Sequence, residues 1–178
     1  MDCTQSLADW QKRNQEVQLR LLRLASPLDE ETLNTHPAAS VWSPAQVIAH
    51  MVLTNQLYLP RMEAALQNAE RVSGDPPVRY SFFGSFLRKV AGPGGNAPAP
   101  KPLHPPMTTI PTTIIQEWEQ QQIQLLSLMD RAAGVDLSHI RVWNPLVRVI
   151  PMNLADCFEL LTAHTERHVG QIEERIPR

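Results

Sequence analysis

Apolar residues recur at helical spacing in four long stretches of the chain, and polar or Gly/Pro-rich intervals separate them. That period marks amphipathic helices. The first runs from about Thr4 or Ser6 to Leu24 through Leu7, Trp10, Val17, Leu21 and Leu24, interrupted at Asn14, and Ser26-Pro27 ends it. The second has the clearest start: Ser43 suits the N-cap, Pro44 the first helical position, and Gln46 completes a capping box. Its stripe is Val47, Met51, Tyr58, Met62 and Ala65, with His50 and Thr54 on or beside it. Pro60 should kink this helix, which is expected to reach about Arg71. The third spans about Thr112 to Ala133 on Ile114, Trp118, Leu125, Met129 and Ala132, with Gly134 as its stop. The fourth follows Asn153, a suitable N-cap, and runs to about Arg175 on Leu154, Cys157, Leu161, His164, His168 and Ile172.

Four long amphipathic helices predict an all-α four-helix bundle filling one domain, residues 1–178. A long Gly/Pro-rich connection, Gly74 to Pro111, joins helices two and three. Gly92 to Pro100 cannot sustain regular structure, whereas Tyr80 to Val90 can form a short helix on Phe82, Phe83, Phe86 and Leu87. Such a connection suits a lid or binding loop, and equally a surface strap from one end of a bundle to the other. Arg141 to Ile150 holds at most one short extended segment.

Composition narrows the function. The 16 Lys+Arg nearly balance the 18 Asp+Glu, which argues against a nucleic-acid partner, because phosphate contacts call for clustered positive charge. No apolar run approaches the ~18 residues of a membrane span. The start, Met1-Asp2-Cys3-Thr4-Gln5, is polar and lacks a signal-peptide pattern, so the expected compartment is the cytoplasm. Cys3 and Cys157 do not suggest a disulfide framework. Cys157 reads as a small core residue, and the ~10 Å helical rise from it to His164 is too long for the two to share an ion.

His164 and His168 lie four apart and stack on one helix face. A buried imidazole needs a hydrogen bond, a charge or a metal. Two separately satisfied core histidines are one reading. A metal held by the pair, with His50 from a facing helix as third ligand, is the other. Three neutral imidazoles and an open position suit a divalent transition metal, zinc or nickel foremost and also iron or cobalt, rather than calcium or magnesium. The metallopeptidase pattern fails here: Thr165 stands where the catalytic Glu would follow the first His. Glu166 lies about 200° around the helix, as a surface carboxylate available to a neighbouring helix. Gln171, three residues past His168, reads either as a group orienting that ligand or as an exposed polar residue. His36, His104 and His139 sit in polar or Pro-rich connections and are not assigned as ligands; the four tryptophans read as core or rim packing.

Two segments, Trp42-Ser43-Pro44-Ala45-Gln46-Val47-Ile48-Ala49-His50 and Ala163-His164-Thr165-Glu166-Arg167-His168-Val169-Gly170-Gln171-Ile172, resemble the DinB-like (DinB/YfiT) superfamily. The resemblance implies an up-down-down-up bundle that often dimerises, with a metal-binding histidine triad mapping to His50, His164 and His168. It also implies thiol-dependent transferase or isomerase chemistry with mycothiol or bacillithiol, or metal-dependent hydrolysis. The Gly/Pro-rich connection looks longer than in compact members, so no relative's substrate carries over.

The expected function is therefore a metal-dependent hydrolase or thiol (S-)transferase that activates water or a low-molecular-weight thiol against a small-molecule substrate. The competing reading is a non-catalytic metal- or ligand-binding stress-response module, because helical spacing places no carboxylate beside the triad for acid–base work. A structural bundle with three satisfied core histidines ranks last.

Overall fold

The computed structural model describes residues 1–95, 98–147 and 149–176 and is mostly helical. In chain order come α1 (Cys3–Ala25), α2 (Glu30–Asn34), α3 (Pro44–Gln67), α4 (Phe82–Ala91), a 3-10 turn (Lys101–Leu103), α5 (Thr113–Arg131), β1 (Arg141–Trp143), β2 (Pro151–Asn153) and α6 (Leu154–Arg175).

Capping boxes start the two helices that carry the histidines. Ser43 accepts from the Gln46 amide and Gln46 returns a bond to Ser43, with Pro44 at the first helical position. Asn153 and Asp156 do the same for α6. Asp156 also accepts from the Ser81 amide at 2.9 Å, which ties the start of α4 to the start of α6. Gly84 lies against the Asp156 side chain so closely that a Cβ there would collide with it. Glycine at this position therefore sets how near α4 can lie.

The four long helices form an up-down-down-up bundle. At one end Leu7 and Trp10 of α1 pack with Tyr58 and Met62 of α3, Leu125 of α5 and Phe158 of α6. At the other end Val17 and Leu21 pack with Ile48, Trp118 and Val169. The first half of α1 thus meets the second halves of α3 and α5 and the first half of α6. α3 and α5 consequently run the same way, and the chain between them must travel the length of the bundle. That is why this connection is long.

Several sequence expectations are corrected. α3 stops at Gln67 rather than Arg71: Asn68 leaves helical geometry, and Arg71 instead bridges to Val135. As expected, α3 does not end at Pro60 but continues through it. Ala25 and Ile115 take the buried places expected for Leu24 and Ile114, which are half-buried. The polar break at Asn14 is a core contact, its side-chain NH2 donating to Thr162 of α6 and to the Trp10 carbonyl, each at 2.7 Å. Arg141 to Ile150 was expected to hold at most one extended segment. It holds one, β1; the unexpected feature is its antiparallel partner β2, which lies just beyond that window and sets Val142 opposite Met152. Three-residue strands are too short to show alternation, and proline is tolerated as the first residue of such an edge. The short helix α2, capped by Asp29, has no apolar period to announce it. Asn96 and Ala97 of the irregular stretch, Arg148, and the last two positions of the proposed 1–178 domain lie outside the described residues. No helix among the described residues is long and apolar enough to cross a membrane.

Candidate metal centre

α3 and α6 are neighbours in the bundle. His50 projects from the first half of α3, His164 from the middle of α6 and His168 from its second half. These halves share one end of the core, so the rings meet. All three are buried, and one ligand atom from each lies within 4.8 Å of the others. The Nε2 atoms of His50 and His168 each stand 3.1 Å from Nε2 of His164.

The outer nitrogens decide what the inner ones can do. Nδ1 of His50 lies 2.7 Å from the Leu103 carbonyl, which can only accept, so Nδ1 carries the proton and donates it. Nδ1 of His168 donates likewise to the Gln171 side-chain oxygen at 2.8 Å. Both neutral rings therefore turn an Nε2 lone pair toward His164. His164 Nε2 has at most one proton to donate between them, which leaves at least one inward lone pair without a donor. An electrophile relieves that. Burial pushes the His50 and His164 rings toward the neutral form, and lowers His168 to about 3 by burial first and the neighbouring His50 second. A proton is thus disfavoured as the electrophile, and a metal ion is the alternative. Metal–nitrogen bonds of ~2.0–2.1 Å place ligand nitrogens ~2.9 Å apart at right angles and ~3.4 Å apart at the tetrahedral angle. The observed 3.1 Å lies inside that range. Three neutral imidazole nitrogens at this spacing are a donor set that suits a divalent transition ion.

Beside the rings is a cavity of about 320 Å³, at the lower end of the ~300–1,000 Å³ typical of small-molecule sites. Its walls come from α3 (His50, Thr54, Tyr58), α6 (His164, Arg167, Gln171) and the long connection, which adds α4 and the Pro98–Leu103 stretch. The connection is thus both the strap along the bundle and a wall of the cavity. Trp42 packs tilted on the His50 ring at 5.2 Å, a rim role as expected. Glu166 turns away from the rings and is held by Arg13 of α1 through two bonds of 2.8 Å. His36, His104 and His139 are exposed and contribute no ligand atom to the cluster, and His104 packs edge-on against Trp42 at 6.0 Å.

Sequence reasoning passed over Arg167 and Arg175, which also line the cavity. The signal was present: positions 164, 167, 168, 171 and 175 share one helical face.

Fold and site together define a helical bundle with a buried inter-helix histidine cluster able to hold a divalent ion. The sequence profile of the DinB superfamily matches residues 13–172, and the chain belongs to that superfamily. Among solved structures it is similar to YfiT from Bacillus subtilis, described as a probable metal-dependent hydrolase with an unusual four-helix bundle topology. The two share 15% sequence identity over 94% of this chain and 84% of that one, with a TM-score of 0.61. No curated protein matches the chain.

Proposed function

We propose that this chain is a divalent-metal enzyme in which His50, His164 and His168 hold the ion, zinc or nickel foremost, and a small-molecule substrate enters the adjoining cavity. The convergence of three Nε2 atoms, with the outer nitrogens of His50 and His168 already engaged, carries this reading. A bound ion would supply acidification of water or of a low-molecular-weight thiol, making a nucleophile available at neutral pH. The chain's own contribution is to keep the rings neutral by burial, aim two of them through Leu103 and Gln171, and shield the site with α4 and the connection. Hydrolysis and thiol transfer are the two reaction classes that fit. The similarity to YfiT favours hydrolysis.

Protein purified without chelator is expected to carry about one divalent ion per chain by elemental analysis. His164→Ala should lose it; unchanged metal content in that variant overturns the proposal.

One observation favours a second reading, a metal- or ligand-binding module without turnover. Among the described residues, no aspartate or glutamate lines the cavity, so the carboxylate that commonly does general acid–base work is missing beside the triad. Turnover in a hydrolase and thiol-transfer screen, lost on chelation, decides for the enzyme. Metal binding with no turnover decides for the module.

A further inference from the structure

Arg167 and Arg175 line the cavity, each partly buried, and neither forms an ion pair among the described residues. Each uses a single nitrogen on the backbone. Arg167 Nη1 donates toward the Val90 and Ala91 carbonyls at 3.3 and 3.5 Å, and Arg175 Nη1 donates to the Trp42 carbonyl at 3.1 Å. The Nε and Nη2 nitrogens of both have no protein partner among the described residues. This is the edge that grips a carboxylate in the fork geometry. The same chain uses it so twice: Arg13 on Glu166, and Arg20 on Glu173, each through Nε and Nη2.

Charge supports the same conclusion. Three neutral imidazoles leave a divalent ion's charge uncompensated, two guanidinium groups add to it, and no carboxylate lines the cavity among the described residues. Burial works against the charge of both arginines, countered in part at Arg175 by Glu174 and at Arg167 by nothing among the described residues. Partly desolvated cations of one sign need a counter-charge. The rest of the wall is apolar, with Leu87, Val90, Leu146 and Leu160 among it.

We propose that the cavity's ligand is a small amphipathic organic acid, its carboxylate gripped by the free edge of Arg167, with Arg175 as the second cation, and its apolar body on the leucine-lined wall. This rests on the metal-site reading for the position of the reacting group. The anion preference itself follows from the arginines.

The test titrates the full-length protein, metal-loaded and chelator-treated, by calorimetry at neutral pH. The probes are the straight-chain carboxylates from butyrate to decanoate and the matching primary amides. At least one carboxylate is expected to bind about tenfold or more tightly than its amide. Arg167→Met should abolish that preference while leaving amide affinity and metal content unchanged, and Arg167→Lys, which keeps the charge but not the fork, should restore part of it. The proposal is overturned if no carboxylate in the series binds, if carboxylate and amide bind alike, or if the preference survives in the Arg167→Met/Arg175→Met double variant. Elemental analysis of the same samples separates the two readings. A protein that takes up no ion on loading yet keeps the arginine-dependent preference retires the metal site and leaves this proposal standing; a protein that takes up the ion but shows no preference does the reverse.

Discussion

The Leu103 carbonyl accepts the Nδ1 proton of His50 at 2.7 Å, across 53 residues of chain. One backbone oxygen from the long connection thereby decides which nitrogen of a buried ring faces the cluster. Gln171 plays the same part for His168 from within α6. Of the two, only the Gln171 contact can be removed by changing a side chain. Gln171→Ala is expected to weaken metal binding by about 10–100-fold, as loss of a ligand-orienting partner does elsewhere. Competition against a chromophoric chelator measures this, and an unchanged affinity would show that the contact orients nothing.

The docking of α4 depends on the missing side chain at position 84. Gly84→Ala forces a Cβ into Asp156, whose carboxylate also holds Ser81 and Asn153. The variant should lose about 1–3 kcal/mol of stability, the usual cost of overpacking. It should also be cut faster by trypsin after Arg88 or Lys89 of α4. Equal cleavage rates in variant and parent would mean that α4 is not held by this contact.

Arg13 joins α1 to α6 through Glu166 and Glu159, and Trp10 donates to the same Glu159 at 2.6 Å. Arg13→Met leaves two partly buried carboxylates without their cation. Chemical denaturation should show a loss of about 2–3 kcal/mol, in line with charge-assisted bonds. Because Glu166 faces away from the rings, metal content should not change.

Acid should weaken the metal-free fold through its buried histidines. In the unfolded chain they titrate near ~6.5, whereas His168 in the native state is held down to about 3. Between those values the unfolded state binds protons that the native state refuses, so stability declines as pH falls through that window. Above it, neither state is protonated and these rings contribute no slope. Denaturation midpoints of chelator-treated protein between ~pH 7 and ~pH 4 test this; a His168→Gln variant should show a shallower decline.

The long helices and their starts were legible along the chain because both signals are local. A stripe such as Leu154, Cys157 and Leu161 repeats within one helix, and the Ser43–Gln46 box and the Asn153 N-cap each act within one turn. His164 and His168 were readable for the same reason, and Arg167, Gln171 and Arg175 could have been, since helical geometry alone puts them on that face. The β1–β2 pair and the stop of α3 at Gln67 were not legible. Three-residue strands carry no usable period, and a helix end is settled by what the departing chain meets, here Val135 against Arg71.

Local sequence determined which residues could be ligands. The fold alone decided that they meet, because His50 and His164 lie 114 residues apart and only the packing of α3 beside α6 brings them to 3.1 Å. It also decided which nitrogen each oriented ring presents and what roofs the cavity. Both depend on the connection between α3 and α5, whose path is dictated by two helices running the same way and not by any periodicity of its own.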